Sequence, residues 1–223
     1  LNRASDLSKG TGWILIGVAF LFLGIHFMKE GFDAYAQTIE LTQYAIPGIA
    51  GLLIFTLVGI LATVVMQSSH ATMTLIITAL AASQITYENA LALAIGANVG
   101  TTVTAVLGAL GANISGKRLA AAHLIFNLVT GVVALVLILP LQLVVNAVSD
   151  AVGIAADNYT LKLAVFHTLF NLLGVLLMLP MIDRMVAFLE KNLRHDATGY
   201  DTPRYLSNSA LEVPAVALHA GIQ

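Results

Sequence analysis

Apolar stretches of about twenty residues, the length a helix needs to cross a hydrocarbon core of roughly 30 Å, recur along this chain. Such stretches leave it few folds other than a bundle of membrane helices, because lipid offers no partner to an open backbone. The first is GWILIGVAFLFLGIHFMK, residues 12–29. Only 10% of the residues are charged, against about 25% in a soluble domain. We expect an all-α membrane protein whose transmembrane helices include a re-entrant helical hairpin and a broken helix. The net charge of -2 and the lack of a basic stripe speak against nucleic acid as a partner. With no cysteine, the chain has neither a disulfide framework nor thiolate chemistry.

The lengths of the blocks set the topology. Residues 47–82 form a second apolar block, about 54 Å long as a single helix at 1.5 Å per residue. Gln67, Ser68, Ser69 and His70 interrupt it, in the stretch MQSSHAT. The part after the interruption is only about 18 Å long, too short to cross alone. A re-entrant hairpin over 47–82, with its tip at Gln67 to His70, satisfies both lengths. The third block, 89–111, contains GANVGTT, and we expect a broken helix there with freed backbone groups lining a cavity. Spans at 118–143 and 160–181 complete a transmembrane domain of residues 1–183. An amphipathic interfacial helix and a linker are expected over 184–209, and 210–223 reads as the start of a further helix outside the membrane.

The charges support this map. With a re-entrant block, Arg3, Lys9, Lys117, Arg118, Arg184, Lys191, Arg194 and Arg204 share one side and only Lys29 and Lys162 fall on the other. The positive-inside rule makes the first side cytoplasmic, and both chain ends with it. Two full crossings would give the same charge pattern; only the shortness of 71–82 argues for the hairpin. The motif H-x-x-F-N occurs twice, at His123 to Asn127 and His167 to Asn171. Descent from one ancestral unit and chance recurrence of a pair four residues apart both account for it.

Polar side chains in hydrocarbon need partners, so their default reading is functional. For isolated Thr56, Thr63, Thr74 and Thr78 we expect helix-to-helix contacts instead. Four polar residues in a row at a hairpin tip cannot all face one neighbour. The helix that starts after the tip presents unsatisfied N–H groups and a partial positive charge, which suits an oxyanion. Ser hydroxyls and the Gln67 amide add neutral donors, and no Lys or Arg lies between Lys29 and Lys117. Asn98, Thr101 and Thr102 supply hard oxygens suited to a small cation such as sodium. Helix ends facing an anion and carbonyls facing a coupling ion are the architecture of secondary transporters. His26, His123 and His167 make no metal motif, and we expect them to be hydrogen-bonded within the bundle. Glu30, Asp33, Glu40, Glu88, Asp150 and Asp157 are read as solvated surface. No nucleophile-base pair, P-loop or zinc spacing marks an enzyme.

QSSHA, then GANVGTT about thirty residues on, then KRLAAAHLIFN and FHTLFNLLG, resemble the type II sodium-dependent phosphate cotransporter family. The likeness covers about residues 45–195, and the tail RYLSNSALEVPAVAL resembles the lead-in to the PhoU-like helical domain that bacterial members often append. The resemblance implies that Gln67, Ser68 and Ser69 contact phosphate, and that Ser68, Ser69, Asn98, Thr101 and Thr102 hold sodium. His70 stands where the family usually has a further Ser, placing at the tip a residue type that titrates near neutral pH; His70, Asn127 and Asn171 are expected to tune the site. The family uses two inverted repeats, each with such a tip, and only one is present in this sequence. We therefore expect the second half of a longer transporter, completed by a first repeat or by a second copy. The expected function is sodium-coupled import of inorganic phosphate by alternating access, in the inner (plasma) membrane, with sodium as coupling ion and no other cofactor. A phosphate-sensing or scaffold module and an anion channel are the alternatives.

Overall fold

The computed structural model describes residues 6–36 and 45–194; the expected linker beyond Arg194 and the segment 210–223 lie outside the described residues. Among these residues the chain forms eight α-helices and no strand: α1 Asp6–Ala36, α2 Gly48–Met66, α3 Ser69–Ala81, α4 Tyr87–Gly108, α5 Ile114–Val136, α6 Ile138–Ala151, α7 Tyr159–Met178 and α8 Ile182–Asn192. A 3-10 turn, Leu179–Met181, joins α7 to α8. Five helical stretches are long and apolar enough to cross a membrane, namely Asp6–Gly31, Gly48–Met66, Tyr87–Gly108, Ile114–Val136 and Tyr159–Asn192, whereas α3 and α6 fall short. The chain is a multi-pass membrane protein.

Helix α4 is the centre of the molecule, with every residue from 89 to 100 buried. Helices α2, α3, α5 and α7 surround it, and α1 lies outside against α3. The face of α4 that carries Leu91 and Ile95 joins Phe166, Phe170 and Leu163 of α7 in the apolar core. Toward α2 the contact is backbone to backbone. A Cβ added to Gly59 would overlap the Leu93 carbonyl, and one on Gly96 would overlap the Thr56 carbonyl. One on Gly100 would lie 2.7 Å from the Thr63 Cβ. Small residues let membrane helices approach this closely, and dispersion then replaces the hydrophobic drive that lipid lacks. The contacts advance together along both chains, so α2 and α4 run parallel.

The two ends of the bundle differ. At one end, Ile46 and Pro47 before α2, Ser83 after α3, Tyr87 of α4 and Tyr159 of α7 line a common depression. The Tyr87 and Tyr159 rings lie 5.1 Å apart. Lys162, buried in the first turns of α7, reaches Asn146 of α6 with Nζ at 2.9 Å near this end. At the other end the Arg118 guanidinium donates to the Leu193 carbonyl from Nε at 3.1 Å and Nη2 at 2.9 Å. The α2–α3 hairpin therefore opens at the Tyr87 end, and its turn points toward the Arg118 end, where Lys117, Arg184 and Lys191 also lie.

Three expected spans change. The break expected at GANVGTT within 89–111 is absent: α4 is continuous from Tyr87 to Gly108. Gly in a free helix costs about 1 kcal/mol relative to Ala, but at Gly96 and Gly100 the close seam with α2 offsets that cost. The span expected over 118–143 is two helices, separated at Leu137 with φ -97° and ψ 22°. Pro140 has no N–H for the Val136 carbonyl and its ring crowds that oxygen, so a straight helix cannot pass. Pro180 likewise sits in the 3-10 turn that ends α7, so the span expected over 160–181 stops at Met178. Span 12–29 lies within the longer α1. The amphipathic helix expected within 184–209 starts two residues earlier, at Ile182, burying Leu189 and exposing Asp183, Arg184 and Lys191.

Candidate functional site

The tip of the hairpin is built by three residues in three conformations. Gln67 ends α2 in the left-handed region, φ 55° and ψ 21°, and its backbone N–H still reaches the Thr63 carbonyl at 2.7 Å. Its side-chain Nε2 donates to the Val64 carbonyl. Ser68 is extended and caps α3, its Oγ accepting from the Ala71 N–H at 3.2 Å. That bond uses a lone pair and leaves the Ser68 hydroxyl hydrogen available as a donor. Ser69 and His70 form the first turn of α3. The Thr72 N–H bonds to the Ser68 carbonyl, so the N–H groups of Ser69 and His70 are those left without an intrahelical acceptor. Ser68 and Ser69 are half-buried; Gln67 and His70 are exposed.

Below the tip a chain of hydroxyls fastens the two helices. Buried Thr63 of α2 donates to Thr72 of α3 at 3.0 Å, and Thr72 donates to the Ser68 carbonyl at 3.0 Å. Thr63 thus makes the helix-to-helix contact expected of it. Thr74 and Thr78 instead donate to carbonyls of their own helix, those of His70 and Thr74.

On α4 the polar residues divide. The Thr101 and Thr102 hydroxyls donate to the Asn98 and Val99 carbonyls of the same helix. With α4 unbroken, the freed carbonyls expected as cation ligands do not arise, because α4 continues through them. The Asn98 side chain, 9% exposed, points across to α7. Its Nδ2 donates to Asn171 Oδ1 at 3.1 Å and its Oδ1 lies 3.2 Å from His167 Nε2. Helix α3, which begins at the tip, also packs against α7.

Residues 49–185 match the family model described as Na+/Pi-cotransporter. The chain belongs to the Na+/Pi-cotransporter family. It is 30% identical over 222 residues to a protein of Escherichia coli (strain K12) named "Putative inorganic phosphate export protein YjbB", covering 98% of this chain and 39% of that protein. A protein of the same name from Salmonella typhimurium is 28% identical over the same extent. An uncharacterized protein of Bacillus subtilis (strain 168), YqeW, is 30% identical over 127 residues, 57% of this chain and 39% of that protein. The chain spans about two fifths of the length of these relatives, 39% in each case. No solved structure matches it at a significant level.

Within this member of the family, the hairpin fold brings Gln67, Ser68 and Ser69 to one turn, and α4 with α7 brings Asn98 to Asn171. Asn127 turns away from that cluster: its Nδ2 donates to the His123 carbonyl one turn back on α5. His167 is hydrogen-bonded within the bundle, as expected, yet its partner is Asn98 itself. One residue escaped the sequence reading. The Thr104 hydroxyl is buried without a hydrogen-bond partner. Thr104 follows Gly96 and Gly100 of the seam at four-residue spacing on α4. The signal was present in GTTVT, where Thr101 and Thr104 are three apart and share a face.

Proposed function

We propose that this chain is one half of a sodium-coupled phosphate transporter, with phosphate at the Gln67 to Ser69 turn. The observation that carries this reading is the capped start of α3. Ser68 fixes the helix end, the Ser69 and His70 N–H groups face outward from it, and the Ser hydroxyls stand beside them. Such an end binds an anion without a fixed cation, because backbone dipoles supply the positive potential. An anion alone in a low-dielectric site is costly, and a bound cation offsets that cost. The oxygens at hand for sodium are the Ser68 and Ser69 hydroxyls, the Asn98 side-chain carbonyl and the unpartnered Thr104 hydroxyl. Thr101 and Thr102 keep lone pairs after donating to their own helix and remain in the proposed set.

The hairpin is read as re-entrant. Helix α3 has 13 residues, about 20 Å, and the seam register sets the tip one turn short of the end of α4. With the Arg118 end cytoplasmic by its charges, the hairpin enters from outside. The site is completed by the remainder of the parent protein or by a second copy, in the inner membrane. A sodium gradient directed inward drives phosphate inward; the names of two relatives speak of export, so flux in both directions is the quantity to measure.

The test is radiolabelled phosphate flux in vesicles carrying the full-length parent, with sodium gradients of either sign, beside Ser68→Ala, Ser68→Asn and Ser69→Ala. Asn keeps the helix cap that Ala removes, so it separates loss of the cap from loss of the hydroxyl. Sodium-dependent flux that falls in all three variants supports the reading. Flux without sodium dependence, conductance without a gradient, or binding without flux overturns it in favour of a channel or a sensor.

A further inference from the structure

Asn98, Asn171 and His167 form a ring whose hydrogen-bond directions are fixed by one backbone carbonyl. The Asn171 side chain reaches the His167 carbonyl one turn back at 2.7 Å. A carbonyl only accepts, so Asn171 must present Nδ2 to it and Oδ1 to Asn98. Asn98 must then offer Nδ2 to that oxygen, at 3.1 Å, which turns its own Oδ1 toward His167. At 3.2 Å from that oxygen, His167 must carry its hydrogen on Nε2. No member of the ring can flip without breaking a bond. This matters at Asn98 because an amide turned by 180° puts N–H where a carbonyl oxygen was, and a cation ligand becomes a repelling donor.

We infer that His167 is a positioning residue that holds the Asn98 amide in its cation-binding orientation, with Asn171 as the opposing arm. The inference rests on the proposed role of Asn98 in holding sodium and goes beyond it, by naming what fixes that ligand. Asn98 is 9% exposed and sits on the continuous, fully packed part of α4, so its backbone is rigid and only the side-chain torsion is left to set.

The experiment is the sodium activation curve of phosphate flux in vesicles bearing the full-length parent, measured for the wild type, His167→Leu, His167→Gln and Asn171→Leu. Partners that orient ligands from behind typically carry about tenfold or more in ion affinity. We expect half-saturating sodium to rise about tenfold in His167→Leu and Asn171→Leu, with half-saturating phosphate at saturating sodium unchanged. His167→Gln, whose amide can donate to the same oxygen, should restore most of the sodium response. The Asn98→Ala, His167→Leu double variant should be no worse than Asn98→Ala alone. Unchanged sodium curves in both Leu variants, or a fall only in inserted protein and maximal rate, overturn the inference and leave His167 as packing. A wild type without sodium dependence fails at an earlier step, and overturns the transport reading together with this one.

Discussion

Thr63 of α2 donates its hydroxyl hydrogen to the Thr72 hydroxyl of α3 across 3.0 Å, one turn below the tip. The bond is asymmetric. Thr72 sends its own hydrogen to the Ser68 carbonyl, so removing the Thr63 hydroxyl leaves Thr72 still paired. Removing the Thr72 hydroxyl strands a buried donor on Thr63, which is 0% exposed. Hydrogen bonds between membrane helices are worth about 0.6 kcal/mol on average and up to about 1.7. We expect Thr63→Val to cost near the lower figure and Thr72→Val near or above the upper. Thermal unfolding of the two variants and the double variant in detergent checks the order, and equal losses would contradict it.

Gln67 holds a left-handed backbone, φ 55°, that costs an ordinary residue about 1–2 kcal/mol and glycine very little. A strained non-glycine residue kept at a turn points to a use for its side chain. Gln67→Gly should therefore keep or raise the melting temperature while lowering phosphate flux. Flux at the wild-type level would show that the Gln67 side chain is dispensable.

Gly96 and Gly108 are both glycines of α4 with opposite surroundings. A Cβ on Gly96 runs into backbone atoms of Thr56 and Ile60, whereas one on Gly108 meets nothing within 4 Å. Overpacking of this kind costs about 1–3 kcal/mol, and here the obstructing atoms are backbone. Gly96→Ala should destabilise by that amount or more, and Gly108→Ala should be neutral or gain up to about 1 kcal/mol from helix propensity. Melting temperatures of the purified variants decide. If Gly96→Ala is tolerated, the α2–α4 seam is looser than described.

Arg118 caps the carboxyl end of α8 through the Leu193 carbonyl, while its approach to Glu190 is a 3.7 Å contact with a carboxylate that is 59% exposed. A cation at a helix carboxyl terminus contributes about 0.3–1 kcal/mol, and an exposed ion pair often less. Hydrogen exchange over residues 182–193 should quicken about two- to fivefold in Arg118→Ala and hardly change in Glu190→Gln. The reverse order would assign the stability of α8 to the ion pair.

The turn between α2 and α3 was legible because Gln67 to His70 breaks an apolar run too long for one crossing. The sequence reading erred where a local signal met a tertiary one. Gly, Asn and Thr in GANVGTT weaken a lone helix, yet in contact with α2 the two glycines are what permits the seam, so α4 stays whole. The split at Leu137 was readable from Pro140, but a count of apolar residues passes over a proline. Thr104 was hidden among other threonines, because only the packing decides which hydroxyl is buried without a partner.

The sequence alone determined that this chain lies in a membrane, that its second apolar block turns back at Gln67 to His70, and that the turn offers donors without fixed charge. Those properties depend on residue type and on spacing along the chain, set against a bilayer of known thickness. Which polar groups meet was decided only by the tertiary structure. Asn98 and His167 are 69 residues apart, and no periodicity within either helix says that they share a bond. Their pairing depends on how α4 and α7 are rotated and shifted when they pack, and that is set by the shapes of many side chains at once.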